Sequence, residues 1–420
     1  GGAGTEACLQ VNVYAPADAK KEDKLPVLVW IHGGGNPIDW PFDHWIHQVP
    51  QVVIVSVYYR VDAFGFLAHP EFASDSTLGD MNTGIQDQTE ALRWVQKNIA
   101  AFGGDPDQVT IDGQSAGASS VEIHLVAPQQ EGLFHQAIAQ SVYRTPLPTP
   151  EQQEPLFNFF AETAGCGLSN LAETMACLRN ASVYSLAHAQ DASSYVAESP
   201  VRCSVSGSSS SAFKAWRPVL DGKIISQRPT ASILAGNIHA VPLLVGATSN
   251  ESLSSGTNLS SSLKSFFPLL STEDLTEFNA AEIMGDAWST HTDTYMYRYN
   301  TPNPEDASGL VEHAAEIWMM FKGVVTGTNG TAVFYPQSAA DEAFVEELIA
   351  YWLSFVRSGS PNTFKLARAP EWPLYRQSTG QRMVLTEGTT TETGSAVETI
   401  PSAEVERCAF VATKADAEQA

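Results

Sequence analysis

Positive charge is scarce in this 420-residue chain: Lys and Arg number 23 against 47 Asp and Glu, a formal net charge of −24. A surface of that sign repels phosphate backbones and anionic bilayers, so nucleic acid is set aside as a partner. No apolar run reaches the roughly 18 residues of a membrane span, and no integral membrane segment is expected. Cysteine is also sparse. Five in the chain are too few for a disulfide-built scaffold. No two of them stand in a C-x-x-C spacing, so a zinc knuckle is not expected. Cys166 and Cys177 enclose a short loop, residues 167–176, of a size one bridge closes. No repeat of fixed period is visible. Gly1 to Glu6 lack a charged end followed by an apolar stretch, so no leader is read and the chain is expected to be a mature or trimmed form.

What is present is enough for a substantial core. Hydrophobic residues make up 43% and charged residues only 17%, which argues against global disorder. The length fits one large domain or two average ones. Four Asn-x-Ser/Thr sequons occur, at Asn180, Asn250, Asn258 and Asn329. With a plausible bridge they favour a secreted glycoprotein, Asn180, Asn258 and Asn329 being the acceptors expected. The Ser-rich stretches 204–211 and 252–262 and the Thr/Gly-rich stretch 387–398 read as surface loops.

Hydrophobic periodicity orders the chain. Leu9, Val11 and Val13 alternate with polar neighbours, predicting a half-buried strand over 8–14. Residues 26–31 and 52–57 are short apolar runs, the pattern of strands buried on both faces of a parallel sheet. Ile85, Gln88, Leu92, Val95 and Ile99 share a helix face that ends at Phe102-Gly103-Gly104. Further strands are predicted at 109–111, 136–140, 241–246 and 295–299, and helices at 116–126, 151–164 and about 340–357. Strands alternating with helices imply an α/β fold whose central twisted sheet is mostly parallel and covered by helices on both faces.

Two segments carry chemistry. Gly113-Gln114-Ser115-Ala116-Gly117 follows a strand and opens a helix, the context of a nucleophile elbow. A turn that tight strains Ser115 and lifts its hydroxyl above the sheet, and larger neighbours would collide, hence glycine two positions away on each side. The helix behind Ser115 presents free N–H groups to a developing negative charge. His32-Gly33-Gly34-Gly35 follows the 26–31 strand, and its glycines let main-chain N–H groups approach a substrate carbonyl. The remaining histidines are weighed against ordinary packing: His32 is expected to support the glycine loop, and His124, on the helix after Ser115, to be packed.

The chain resembles the type-B carboxylesterases, the group of cholinesterases and of fungal lipases and sterol esterases. The run from Phe102-Gly103-Gly104-Asp105-Pro106 through Val109-Thr110 to Gly113–Gly117 is similar to that family's serine motif at full length. Asn82-Thr83-Gly84-Ile85-Gln86-Asp87-Gln88, Ala91-Leu92-Arg93-Trp94-Val95, Tyr59-Arg60 and Gly65-Phe66-Leu67 also match. Glu6-Ala7-Cys8-Leu9-Gln10-Val11-Asn12 resembles a second motif, with Ala7 where an acidic residue is usual. The resemblance implies the α/β-hydrolase fold in one domain over 1–420, and a triad in the order Ser, Glu, His. It points to Ser115 as nucleophile, Glu251 after the 241–246 strand as acid, and His313 in Gly309-Leu310-Val311-Glu312-His313-Ala314-Ala315-Glu316 as base. It implies oxyanion donors at Gly34, Gly35 and Ala116, and a bridge between Cys166 and Cys177. Glu312 and Glu316 are expected to be solvated charges. An acid at Glu251 beside the histidine makes the Asn250 sequon accidental.

Several departures touch the substrate pocket more than the triad. The family's N-terminal strands and lid region are expected to be missing, which leaves Cys8 without its usual partner, and Cys203 and Cys408 have none to name. The 62 residues from Glu251 to His313 are few for the family. The expected activity is hydrolysis of small or medium apolar carboxylic esters through an acyl-enzyme, with no cofactor and no metal. Long-chain lipase or sterol esterase activity is the nearest alternative, and a shared triad also permits acyl transfer to another alcohol. A non-catalytic adhesion module is the rival class, opposed by an intact Ser, Glu and His. Trp40, Trp45, Trp288, Trp318 and Phe321 are candidates for an apolar pocket, weighed against core packing. Lid and oligomeric state are left open.

Overall fold

The computed structural model describes residues 6–34, 40–142, 147–196, 215–251, 283–305, 308–326 and 332–406. Gly35, Cys203, Asn258, Asn329, Cys408 and the Ser-rich stretches 204–211 and 252–262 lie outside the described residues. In chain order the strands are β1 (Val11–Tyr14), β2 (Leu25–Ile31), β3 (Val53–Val57), β4 (Gly104–Gln114), β5 (Gln136–Gln140), β6 (Leu243–Thr248), β7 (Thr294–Tyr299), β8 (Val324–Thr326), β9 (Ala332–Phe334), β10 (Gln381–Leu385) and β11 (Ala396–Thr399). The α-helices are α1 (Asp43–Gln48), α2 (Asp62–Phe66), α3 (Thr83–Asn98), α4 (Ala116–Val126), α5 (Pro150–Thr163), α6 (Leu171–Asn180), α7 (Val183–Val196), α8 (Pro229–Leu234), α9 (Ile283–Ser289), α10 (Ala315–Met320) and α11 (Ala339–Ser358).

Nine strands form one sheet in the order β1-β3-β2-β4-β5-β6-β7-β10-β11, and β8 with β9 forms a separate hairpin. The interior pairs, from β3–β2 to β7–β10, are parallel, and only the outer pairs β1–β3 and β10–β11 are antiparallel. The apolar runs of β2 and β3 meet the expectation of strands buried on both faces. Leu28, Trp30 and Ile54 face one layer with Trp45 of α1, Trp318 of α10 and Leu348 and Trp352 of α11. Val27, Val29, Val53 and Val55 face the other with Leu92 of α3, Val121 of α4 and Ile233 of α8. Side chains alternate across a strand, so a continuous apolar run serves two helix layers at once. A third apolar cluster joins α2, α5 and α6, and α6 is held to the end of α5 by the Cys166–Cys177 disulfide, Cα–Cα 5.6 Å.

Two differences from the sequence expectation have plain causes. The strand expected at 8–14 is confined to Val11–Tyr14, all half-buried, because it is an edge strand paired on one side only. The Thr/Gly-rich stretch 387–398 ends inside β11. Its strand character comes from pairing with β10, Met383 opposite Val397, and a cross-strand partner leaves no local signal.

Candidate active site

The site lies at the C-terminal ends of the central parallel strands, where open α/β sheets bind ligands. β4 ends at Gln114, α4 begins at Ala116, and Ser115 between them has φ 59° and ψ −121°, a region L-residues rarely enter. The turn depends on absent side chains. A Cβ on Gly117 would sit 2.0 Å from the Ile31 carbonyl oxygen, and one on Gly113 would sit 2.5 Å from the Gly117 carbonyl. The glycine loop leans directly on this elbow, since a Cβ on Gly33 would fall 2.1 Å from the Gln114 carbonyl oxygen and 3.0 Å from Ser115 Cβ. Gly34 has φ +69° and open space where its Cβ would be. Ala116 opens α4, so its N–H has no acceptor one turn back. Ala116 directly follows Ser115, and Gly34 directly follows the glycine that leans on the elbow.

His32 behaves as a support. It is 1% exposed, stacks on the Tyr59 ring at 4.3 Å, and its carbonyl accepts the Tyr59 hydroxyl at 2.7 Å. Burial pulls its imidazole down to about 4, so it stays neutral. His124 is fully buried and lies 2.9 Å through Nε2 from Gln88 Oε1, a packed residue as expected.

Residues 198 and 62 positions from His313 converge on its ring. Glu251 stands three residues beyond the end of β6, and His313 lies in the turn before α10. His313 Nε2 is 2.7 Å from Ser115 Oγ, and His313 Nδ1 is 2.5 Å from Glu251 Oε2. Glu251 Oε1 accepts the Thr248 N–H at 2.7 Å, which fixes the carboxylate and leaves Oε2 for the imidazole. Burial pushes Glu251 up, but the His313 hydrogen bond and charge, the Ser141 hydroxyl and the Thr248 amide outweigh it and hold it below the usual glutamate value. Burial likewise opposes charge on His313. The hydrogen bond and charge of Glu251, with a further push from Glu316, leave it raised above 6.5.

Glu316, expected to be solvated, is 1% exposed. Its Oε1 accepts the Ser141 hydroxyl at 3.2 Å, its Oε2 is buried without a side-chain partner among the described residues, and burial followed by the charge of Glu251 pushes it up to about 7. No local signal marks its burial: it stands in Ala315–Met320, a run otherwise apolar, where a solvated carboxylate would have the same neighbours in sequence. Glu312 is half-exposed, as expected of a solvated charge. Asp112 on β4 is fully buried, with neither carboxylate oxygen paired among the described residues. Burial, with the nearby charge of Glu316, raises it well above the ordinary range. Among the aromatic candidates, Trp45, Trp288, Trp318 and Phe321 are buried in the core. Trp40 is half-buried, with its ring 4.6 Å from Phe321. Among the described residues no group of three or more His, Cys, Asp and Glu could hold a metal ion, and no helix is long and apolar enough to cross a membrane.

The model of the carboxylesterase family matches residues 2–266 and 257–407. Carboxylesterase 1F of Mus musculus is 28% identical over 90% of this chain and 73% of its own length. Acylcarnitine hydrolase of Mus musculus is 29% identical over 88% of this chain and 70% of its own. The crystal structure of Aspergillus niger EstA superposes with a TM-score of 0.80 at 29% identity, covering 99% of this chain and 85% of that one. A family model that spans nearly the whole chain, on a sheet shared with a solved fungal esterase, settles the classification: the chain belongs to the carboxylesterase family and is a carboxylic ester hydrolase with the α/β-hydrolase fold.

Proposed function

We propose that Ser115 is the nucleophile, His313 the general base and Glu251 the acid that orients it. One observation carries this reading: a single imidazole bonded through Nε2 to Ser115 and through Nδ1 to Glu251, at 2.7 and 2.5 Å. The Ser115 hydroxyl donates to Nε2, and Nδ1–H donates to Glu251. As Ser115 Oγ attacks the ester carbonyl, Nε2 takes its proton, and Glu251 steadies the imidazolium. The tetrahedral oxyanion accepts N–H groups from Gly34, Gly35 and Ala116. His313 returns the proton to the leaving alcohol. It then deprotonates the water that releases the acid from the acyl-enzyme. No step calls for a metal or a cofactor.

The substrates proposed are small or medium apolar esters. Support comes from an aromatic pair, half-buried Trp40 on buried Phe321, with Trp40 close to the glycine loop in sequence. A nitrophenyl ester series of rising acyl length separates this from the long-chain alternative. We further propose one domain over 1–420, since a single sheet runs from β1 to β11. A secreted location and a glycan on Asn180 are supported by the disulfide and by exposure of Asn180 at the end of α6. Ser115→Ala tests the mechanism. It should abolish ester turnover and organophosphonate labelling while leaving the thermal transition in place. Full turnover in that variant would overturn the assignment.

A further inference from the structure

The proposed acid and base stand on two loops that no strand pairing joins, because Glu251 follows β6 while His313 precedes α10. Asn250 bridges them. Its main-chain N–H donates to the Val311 carbonyl at 3.0 Å, and its side-chain Oδ1 accepts the Val311 N–H at 3.0 Å. Both polar main-chain groups of the residue two before His313 are thus held by the residue one before Glu251. One of the two bonds runs through a side chain of definite length. Asn or Asp can make it, Ala has no acceptor, and Ser is too short.

The clamp is itself anchored. The Ser249 N–H donates to the Tyr299 carbonyl at 3.0 Å, and the Ser249 hydroxyl donates to Asn300 Oδ1 at 2.7 Å. Arg298 Nη1 donates to both Ser249 Oγ and Asn300 Oδ1, at 2.8 and 2.9 Å. Glu398 on β11 grips Arg298 from the other side at 2.9 and 2.8 Å. The acid loop is therefore tied to the rigid end of β7, and the histidine turn reaches that anchor through Asn250.

We propose that Asn250 is a positioning residue, holding the acid loop and the histidine turn at the spacing the Ser115–His313–Glu251 relay needs. The inference rests on the triad reading above. A displacement of about 1 Å in such a relay costs on the order of a hundredfold in rate. His313 acts in both acylation and deacylation, so a misplaced ring slows both steps alike and leaves KM nearly unchanged.

The test compares the parent with Asn250→Ala and Asn250→Asp on a nitrophenyl ester across pH, with organophosphonate labelling of Ser115 and a thermal transition for each. Asn250→Ala should lose roughly ten- to a hundredfold in kcat with KM within about twofold. Asn250→Asp keeps the acceptor and should recover kcat at the optimum. The charged groups facing His313 are Glu251 from the acid loop and Glu316 from α10. A new carboxylate beside Glu251 adds to them, so the acid limb of kcat/KM in Asn250→Asp should move to higher pH. Should Asn250→Ala fail to fold, Asn250→Ser carries the same expectation. Unchanged kcat in Asn250→Ala, or an equal loss in Asn250→Asp at its optimum, would overturn the proposal. Failure of the parent to be labelled at Ser115 would instead remove the triad reading beneath it.

Discussion

Glu316→Gln probes the electrostatics beneath the triad. Glu316 is 1% exposed, and burial with the charge of Glu251 lifts it from 4.5 to about 7. An acid raised in the folded state keeps its proton where the unfolded chain has already lost it. The group therefore leaves folding untouched below pH 4.5, opposes it increasingly between 4.5 and about 7, and carries its full penalty above that. A shift of this size corresponds to roughly 3 kcal/mol. The Glu316→Gln variant is nearly isosteric and cannot ionise. Its Oε1 can still accept the Ser141 hydroxyl. Its amide N–H replaces Oε2, which has no partner among the described residues, and a buried unpaired donor costs roughly 1–3 kcal/mol at any pH. Only the difference between two pH values is diagnostic, because that constant cost cancels. Urea unfolding at about pH 8 and about pH 4 should show the variant gaining roughly 3 kcal/mol relative to the parent between them. A stability difference that is the same at both pH values would refute the reasoning.

Two further outcomes follow from the same geometry. In the proposed mechanism His313 must be neutral to take the Ser115 proton, and its folded value is raised above 6.5, so the acid limb of kcat/KM should lie above 6.5 and shift downward in Glu316→Gln. A parent limb well below 6.5 would contradict the role given to Glu251, and the sign also means that protonated His313 stabilises the fold below 6.5, a contribution lost as pH rises through its folded value. Gly117→Ala puts a methyl 2.0 Å from the Ile31 carbonyl and 2.9 Å from that of His32. It should cost upwards of about 3 kcal/mol and abolish organophosphonate labelling, and a thermal transition unchanged from the parent would contradict the close contact.

The elbow was legible in the sequence because its constraint is local. Glycines at 113 and 117 around Ser115 and apolar runs on either side are marks a tight strand-to-helix turn leaves in the chain itself. The extents of β2, β3 and α4 were legible for the same reason: each buries a continuous face. Glu316 and Asp112 were not. Their burial is decided by what packs over them, α10 and α11 closing one face of the sheet, and a carboxylate beside apolar residues looks the same in sequence whether that cover exists or not. Asn250 was masked by a different pattern. It opens a sequon, and only its contact with Val311, 61 residues away, shows that its side chain is engaged.

Three carboxyl groups share the buried region below His313, and all three cannot be ionised there without compensation. The family resemblance points to Glu251 as the acid, but it does not explain why Glu251 is the one that stays charged. The hydrogen-bond inventory does. Glu251 receives the Thr248 N–H, the His313 N–H and the Ser141 hydroxyl, and is held below its ordinary value. Glu316 has the Ser141 hydroxyl and its own main-chain amide, with burial and the charge of Glu251 against it, and rises to about 7. Asp112 has no side-chain donor on either oxygen among the described residues, only a pull downward from the Gly113 amide, and is raised well above its ordinary value. Burial raises each of them, and the number of donors supplied decides which one still ionises. The proposed acid of the relay is thus selected by the Thr248 amide and the His313 ring, so moving the acid loop relative to the histidine turn would disturb both the geometry of the proposed relay and the ionisation it needs. The Asn250–Val311 clamp guards against both losses at once.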